Sequence, residues 1–224
     1  ENFQLHLAQI EQLVDERTRM IWLCSPNNPT GNSLNRADVE TILNNFDGLV
    51  VIDEAYINFS RHKSFLQELT DYPNLVVLQT FSKAWGLAGL RLGMAFGSAA
   101  IVEWMNKVKP PYNISQATQE LALEAIGEIE QVNDMIRELV QMRDALSGVF
   151  EKMPMVEKVY PSEANFLLVK IREAKKIYRY LVSKGIVVRD RSQVQLCDDC
   201  LRITIGTEEE ITALVRALKD YQKK

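Results

Sequence analysis

Thr80-Phe-Ser-Lys-Ala-Trp-Gly-Leu-Ala-Gly-Leu-Arg91 follows directly on an apolar run, Leu75 to Leu78, that reads as a buried strand. Lys83 is an unusual residue to find at the end of a core strand. A lysine buried there loses hydration, and its amine becomes a nucleophile. Ser82, one residue before, and Arg91, eight residues after, are both able to hold a phosphate. Gly86 and Gly89 are read as places where the backbone comes close to a ligand. Taken alone, Ser-Lys is ordinary surface sequence and Gly-x-x-Gly is an ordinary turn, so the neighbouring stretches decide.

Two of them lie upstream. Ser25-Pro-Asn-Asn-Pro-Thr-Gly31 follows the strand-like run Met20 to Cys24, and Val50-Val-Ile-Asp-Glu-Ala-Tyr56 follows in turn. Leu49 to Ile52 is uniformly apolar, as strands covered on both faces tend to be. It ends at Asp53, and in open α/β sheets the carboxyl ends of strands face the ligand crevice. A fourth stretch, Cys200-Leu-Arg-Ile-Thr-Ile-Gly206, reads as a strand carrying Arg202. An amine nucleophile beside a phosphate clamp is what a pyridoxal-phosphate enzyme needs.

These four stretches, in this order, resemble the fold-type I pyridoxal-phosphate aminotransferases, from about residue 20 to residue 207. Within that family the likeness is greatest to the histidinol-phosphate aminotransferases, through the wording of the Lys83 stretch and the pair Arg189 and Arg202. The resemblance implies an α/β large domain with a mostly parallel sheet and helices on both faces, followed by a small α+β domain. It places the partial large domain at residues 1–127 and the small domain, with its linking helix, at 128–224.

The resemblance implies pyridoxal 5'-phosphate as cofactor, with Lys83 as the catalytic amine. Asn28 and Tyr56 are expected at the cofactor's phenolic oxygen and Asp53 at its pyridine nitrogen. Thr80, Ser82 and Arg91 are expected at its phosphate end. Arg202 matches the arginine that grips an α-carboxylate, and Arg189 the position that takes a substrate phosphate. The strand-edge Asn165 stands where the family often has an asparagine near the substrate carboxylate. The implied reaction is transamination of L-histidinol phosphate with 2-oxoglutarate, the partner of glutamate, by a homodimer in histidine biosynthesis. Rival readings are a threonine-phosphate decarboxylase, an aromatic-amino-acid aminotransferase, or a fragment whose site is incomplete. Family members start well before this chain does, so the sequence is expected to be the C-terminal part of a longer protein.

The remaining sequence sets bounds. The 224 residues are 46% hydrophobic and 25% charged, an ordinary globular composition. Net charge is −4 and no basic block points to nucleic acid. No apolar run approaches the roughly 20 residues that span a bilayer. Glu1-Asn-Phe-Gln reads as protein interior rather than signal peptide. Three cysteines argue against a disulfide framework. Cys197-Asp-Asp-Cys200 has metal-ligand spacing, but Cys24, His6 and His62 supply no convincing second pair, so no metal and a reduced cytoplasmic protein are expected.

Helical spacing is read over Leu5–Arg17, after Asn35 or Ser33, and over Ser64–Leu69, Ala99–Lys109, Ile129–Phe150, Glu173–Lys184 and Glu208–Tyr221, with another helix beginning at Ser115. Arg143 falls within the apolar pattern of the longest of these. Further strands are read at Arg91–Gly97, Val156–Val159, Asn165–Ile171, Ile186–Arg189 and Leu201–Ile205.

Overall fold

A computed structural model describes residues 2–222. The frayed end expected at Lys223-Lys224 lies outside them. The chain divides into two units: residues up to Asn27 with Ser33–Asp134, and Asn28–Asn32 with Met135 onward.

The first unit is built on a four-stranded sheet, β1 (Met20–Cys24), β2 (Leu49–Asp53), β3 (Leu75–Thr80) and β4 (Gly93–Gly97), ordered β1-β2-β3-β4. The first three strands run parallel and β4 antiparallel. Val50, Ile52, Leu75 and Val77 are fully buried, which explains their unbroken apolar wording. Helix α1 (Leu7–Leu13) is shorter than its spacing promised. Helix α2 (Arg36–Asn45) crosses between β1 and β2, as parallel strands require, and sinks Val39, Ile42 and Leu43 into the core. Asn35 caps it by accepting from the Ala37 amide at 2.9 Å. Between β2 and β3 there are only two 3₁₀ turns, Ile57–Phe59 and Phe65–Glu68. Helices α3 (Ala99–Val108) and α4 (Gln116–Gly127) follow β4. The register sets Cys24 beside Asp53 and Asp53 beside Leu78, so the carboxyl ends of the parallel strands form one edge.

Helix α5 (Ile129–Phe150) runs across the boundary between units. The second unit has an antiparallel sheet of β5 (Val156–Val159), β6 (Phe166–Ile171), β7 (Arg189–Asp190) and β8 (Cys200–Thr204), ordered β5-β6-β8-β7. Helices α6 (Ala174–Ser183) and α7 (Glu208–Gln222) join the same core. It unites Leu146 and Phe150 of α5, Ile177 and Leu181 of α6, Leu214 and Leu218 of α7, and the inner residues of β6 and β8. Strand β7 is only two residues long, against the four read from Ile186–Arg189. It is an edge strand, and Val187 is 70% exposed, so the apolar wording there does not extend the ladder. No described helix is long and apolar enough to cross a membrane.

Cys197 and Cys200 are both fully buried. Burial pushes both thiols up, Cys200 from its ordinary 9.0 to about 12. Such thiols form thiolate poorly, which disfavours redox or metal chemistry here. Among the described residues no group of three or more His, Cys, Asp or Glu could hold a metal ion. A raised thiol binds its proton more tightly folded than unfolded. Its contribution to stability is full below 9.0 and is lost as pH climbs towards about 12. The thermal midpoint is therefore expected to fall as pH passes about 9, less steeply in Cys200→Ala. Identical pH profiles for the two proteins would contradict this.

Candidate functional site

In the first unit the candidate residues gather at the carboxyl edge of β2 and β3. Asp53 ends β2, half-buried. Its Oδ1 accepts from the Ala55 amide at 2.9 Å, and its Oδ2 makes no hydrogen bond among the described residues. Tyr56 is buried at 6% exposure, and the Lys83 ammonium lies 5.3 Å from its ring centroid. Thr80 ends β3. Its hydroxyl accepts from the Ser82 amide at 3.0 Å and donates to the Leu92 carbonyl at 3.3 Å, shaping the turn into Lys83. The Ser82 hydroxyl and the Lys83 ammonium have no hydrogen-bond or ion-pair partner among the described residues.

One expectation fails at this turn. Lys83 is exposed, so the desolvation expected of it is not provided by this chain's own side chains. Around Gly86 and Gly89 there is open space, since a Cβ on either would meet no protein atom within 4 Å. Gly86 is needed for its left-handed φ of +67°, where its amide donates to the Lys83 carbonyl at 3.0 Å. Arg91 is exposed, also left-handed at φ +52°, and donates to the Ala88 carbonyl at 2.8 Å.

Glu54, to which the sequence assigns no role, is 1% exposed. Its carboxylate accepts from the Ser64 hydroxyl, the Phe65 amide at 2.8 Å and the Gln79 amide nitrogen at 3.0 Å. Its own amide donates to the Leu78 carbonyl at 2.8 Å. Glu54 thus ties the turn bearing Asp53 and Tyr56 to the end of β3. An acidic residue after Asp53 gives no hint of this, because every partner is distant in sequence.

The second unit holds the two arginines. Arg189 on β7 stands directly opposite Arg202 on β8. Like charges opposite each other in an antiparallel pair repel, and an anion between them relieves that cost. Arg189 is exposed and has no carboxylate partner among the described residues. Arg202 stacks over Phe166 at 4.9 Å, and its Nη1 donates to Asn28 Oδ1 at 2.6 Å. That contact fixes the Asn28 amide, leaving its Nδ2 as a donor with no partner among the described residues. The peptide bonds before Pro26 and Pro29 are both cis. Asn165 immediately precedes β6, and its carbonyl accepts from the Ile205 amide at 2.9 Å.

Gly31 closes the Asn28 loop. It holds φ +82°, and a Cβ there would come within 2.5 Å of the Ser162 hydroxyl. Gly31→Ala is expected to weaken folding by about 1–3 kcal/mol through backbone strain and crowding. An unchanged urea midpoint would contradict that.

The family model for aminotransferase class I and II matches residues 1–218. A histidinol-phosphate aminotransferase of Bacteroides thetaiotaomicron is 51% identical over 222 residues, which are 99% of this chain and 64% of that protein. The chain therefore spans 64% of the length of that curated relative. The crystal structure of the Clostridium acetobutylicum histidinol-phosphate aminotransferase superposes with a TM-score of 0.91, covering 100% of this chain and 69% of that one. A Sinorhizobium meliloti histidinol-phosphate aminotransferase in complex with pyridoxal-5'-phosphate gives 0.85, over 97% of this chain and 60% of that one. At 22% and 24% identity these two likenesses concern the fold.

Proposed function

We propose that this chain, which belongs to the class I and II aminotransferase family, supplies the lysine and most of the binding side chains of an enzyme that transaminates L-histidinol phosphate with pyridoxal phosphate. The observation that carries the reading is the donor set at one strand edge. An amine, a carboxylate oxygen and a hydroxyl stand there without hydrogen-bond partners among the described residues, on Lys83, Asp53 and Ser82. That set fits the cofactor's aldehyde, ring nitrogen and phosphate. The 51% identity to a curated histidinol-phosphate aminotransferase supports the substrate.

When bound, pyridoxal phosphate supplies an electron-poor ring that takes up charge as the substrate's α-proton leaves. Lys83 Nζ would hold the cofactor's aldehyde end and would carry the proton that leaves the amino substrate. The Asp53 Oδ2 accepts from the ring nitrogen and keeps it protonated. Ser82 and Arg91 would bind phosphate oxygens, Thr80 would bind there only by exchanging its bond to the Leu92 carbonyl, and Tyr56 and the Asn28 Nδ2 would donate to the ring oxygen. Arg189 takes the phosphate of histidinol phosphate. Arg202 takes the α-carboxylate of glutamate, whose 2-oxo acid completes the cycle. A homodimer working in the cytoplasm belongs to the same reading. The dimer is supported by the large apolar side chains Trp104, Tyr112 and Leu123, exposed at 62%, 93% and 69%.

The test offers the full-length parent L-histidinol phosphate, O-phosphothreonine and phenylalanine, each with 2-oxoglutarate. Glutamate formation from histidinol phosphate well above the others is expected. Carbon dioxide release from O-phosphothreonine would replace the reading by a decarboxylase, and preference for phenylalanine by an aromatic aminotransferase.

A further inference from the structure

Arg143 lies in the apolar stripe of α5, yet it is an arginine only 2% exposed. Burying a guanidinium is costly unless its hydrogen bonds are made. Its Nη1 donates to the Ala164 carbonyl at 3.1 Å, and its Nε and Nη2 reach Asp144 Oδ1 at 3.1 and 3.0 Å. Asp144 itself is half-exposed. The bond to Ala164 thus anchors, from inside the core, the loop that enters β6.

That loop touches the arginine site from two sides. The Ser162 hydroxyl accepts from the Ala164 amide at 3.1 Å and donates to the Phe166 carbonyl at 2.6 Å. Phe166 is the ring under Arg202. On the other side the Glu163 amide donates to the Gly31 carbonyl at 2.7 Å, and Gly31 sits against Ser162. Gly31 belongs to the loop of Asn28, which accepts from Arg202. Two supports of the Arg202 guanidinium, the Phe166 ring and the Asn28 amide, therefore rest on the segment that Arg143 holds.

We propose that Arg143 is a positioning residue for Arg202: it fixes the 162–166 loop so that the guanidinium is preset for a carboxylate. The inference rests on Arg202 being a carboxylate-binding residue, as proposed above. The experiment uses the cofactor-loaded full-length parent and glutarate, a dicarboxylate with no reacting group, with binding read by calorimetry. Arg202→Gln must first weaken glutarate strongly; if it does not, the reading of Arg202 fails and takes this inference with it. Given that loss, Arg143→Gln is expected to weaken glutarate about tenfold, the scale of one buried hydrogen bond lost. Arg143→Lys, still able to donate to Ala164, should recover part of it.

A merely structural role is separated by the double variant. In the Arg202→Gln background, removing Arg143 should weaken glutarate no further, while the melting temperature drops as much as in the wild type. Should Arg143→Gln not fold, Asp144→Asn probes the same path from a half-exposed position, with an expected loss of about two- to threefold. Wild-type glutarate affinity in a folded Arg143→Gln or, failing that, in Asp144→Asn overturns the proposal, as do additive losses in the double variant.

Discussion

Lys83→Ala in the full-length parent is expected to lower kcat by about 10⁴-fold or more, since in the proposed mechanism it removes both the attaching amine and the proton carrier. Its effect on folding should be small. Lys83 is exposed, and its recorded contact is with the Tyr56 ring at 5.3 Å. Surface substitutions of that kind usually change stability by about 0.5 kcal/mol or less. A melting temperature near wild type with activity gone would place the loss in chemistry. Retained turnover, measured as glutamate formed per active site, would remove Lys83 from the mechanism.

The second large effect is selective. Arg189→Ala should lower kcat/KM for L-histidinol phosphate about ten- to a hundredfold, the scale of one charge-assisted hydrogen bond. The lower part of that range is expected, because Arg189 is exposed. Glutamate carries no phosphate, so its half-reaction should change little. Arg202 stands opposite on β8, half-buried and stacked on Phe166. Losing Arg189 also removes the repulsion between the two, so Arg202 stays in place. Equal losses for both substrates would mean that Arg189 acts generally and not on the phosphate.

Particular residues show what could be read in advance. The strand ends bearing Asp53 and Lys83 were legible because fully covered parallel strands are worded in unbroken apolar runs. Helix α5 was legible from periodicity over its whole length, Ile129–Phe150. The same periodicity counted Arg143 as one more core position and could not show that its partner is the Ala164 carbonyl, 21 residues away. Glu54 was silent because its partners come from Ser64, Phe65 and Gln79. The contact between Asn28 and Arg202 joins residues 174 apart. Exposure of Lys83 was misread since solvation belongs to the folded surface, not to the residues on either side. Apolar wording at Ile186–Val188 overstated β7, because an edge strand need not pair along all of it.

The most direct measurement is the visible absorbance of the full-length parent mixed with pyridoxal phosphate, beside its Lys83→Ala variant. A protein-linked band is expected, distinct from that of the free cofactor, that changes on adding L-histidinol phosphate and is absent from the variant. A wild-type spectrum equal to that of free pyridoxal phosphate, or a variant spectrum equal to wild type, would contradict it.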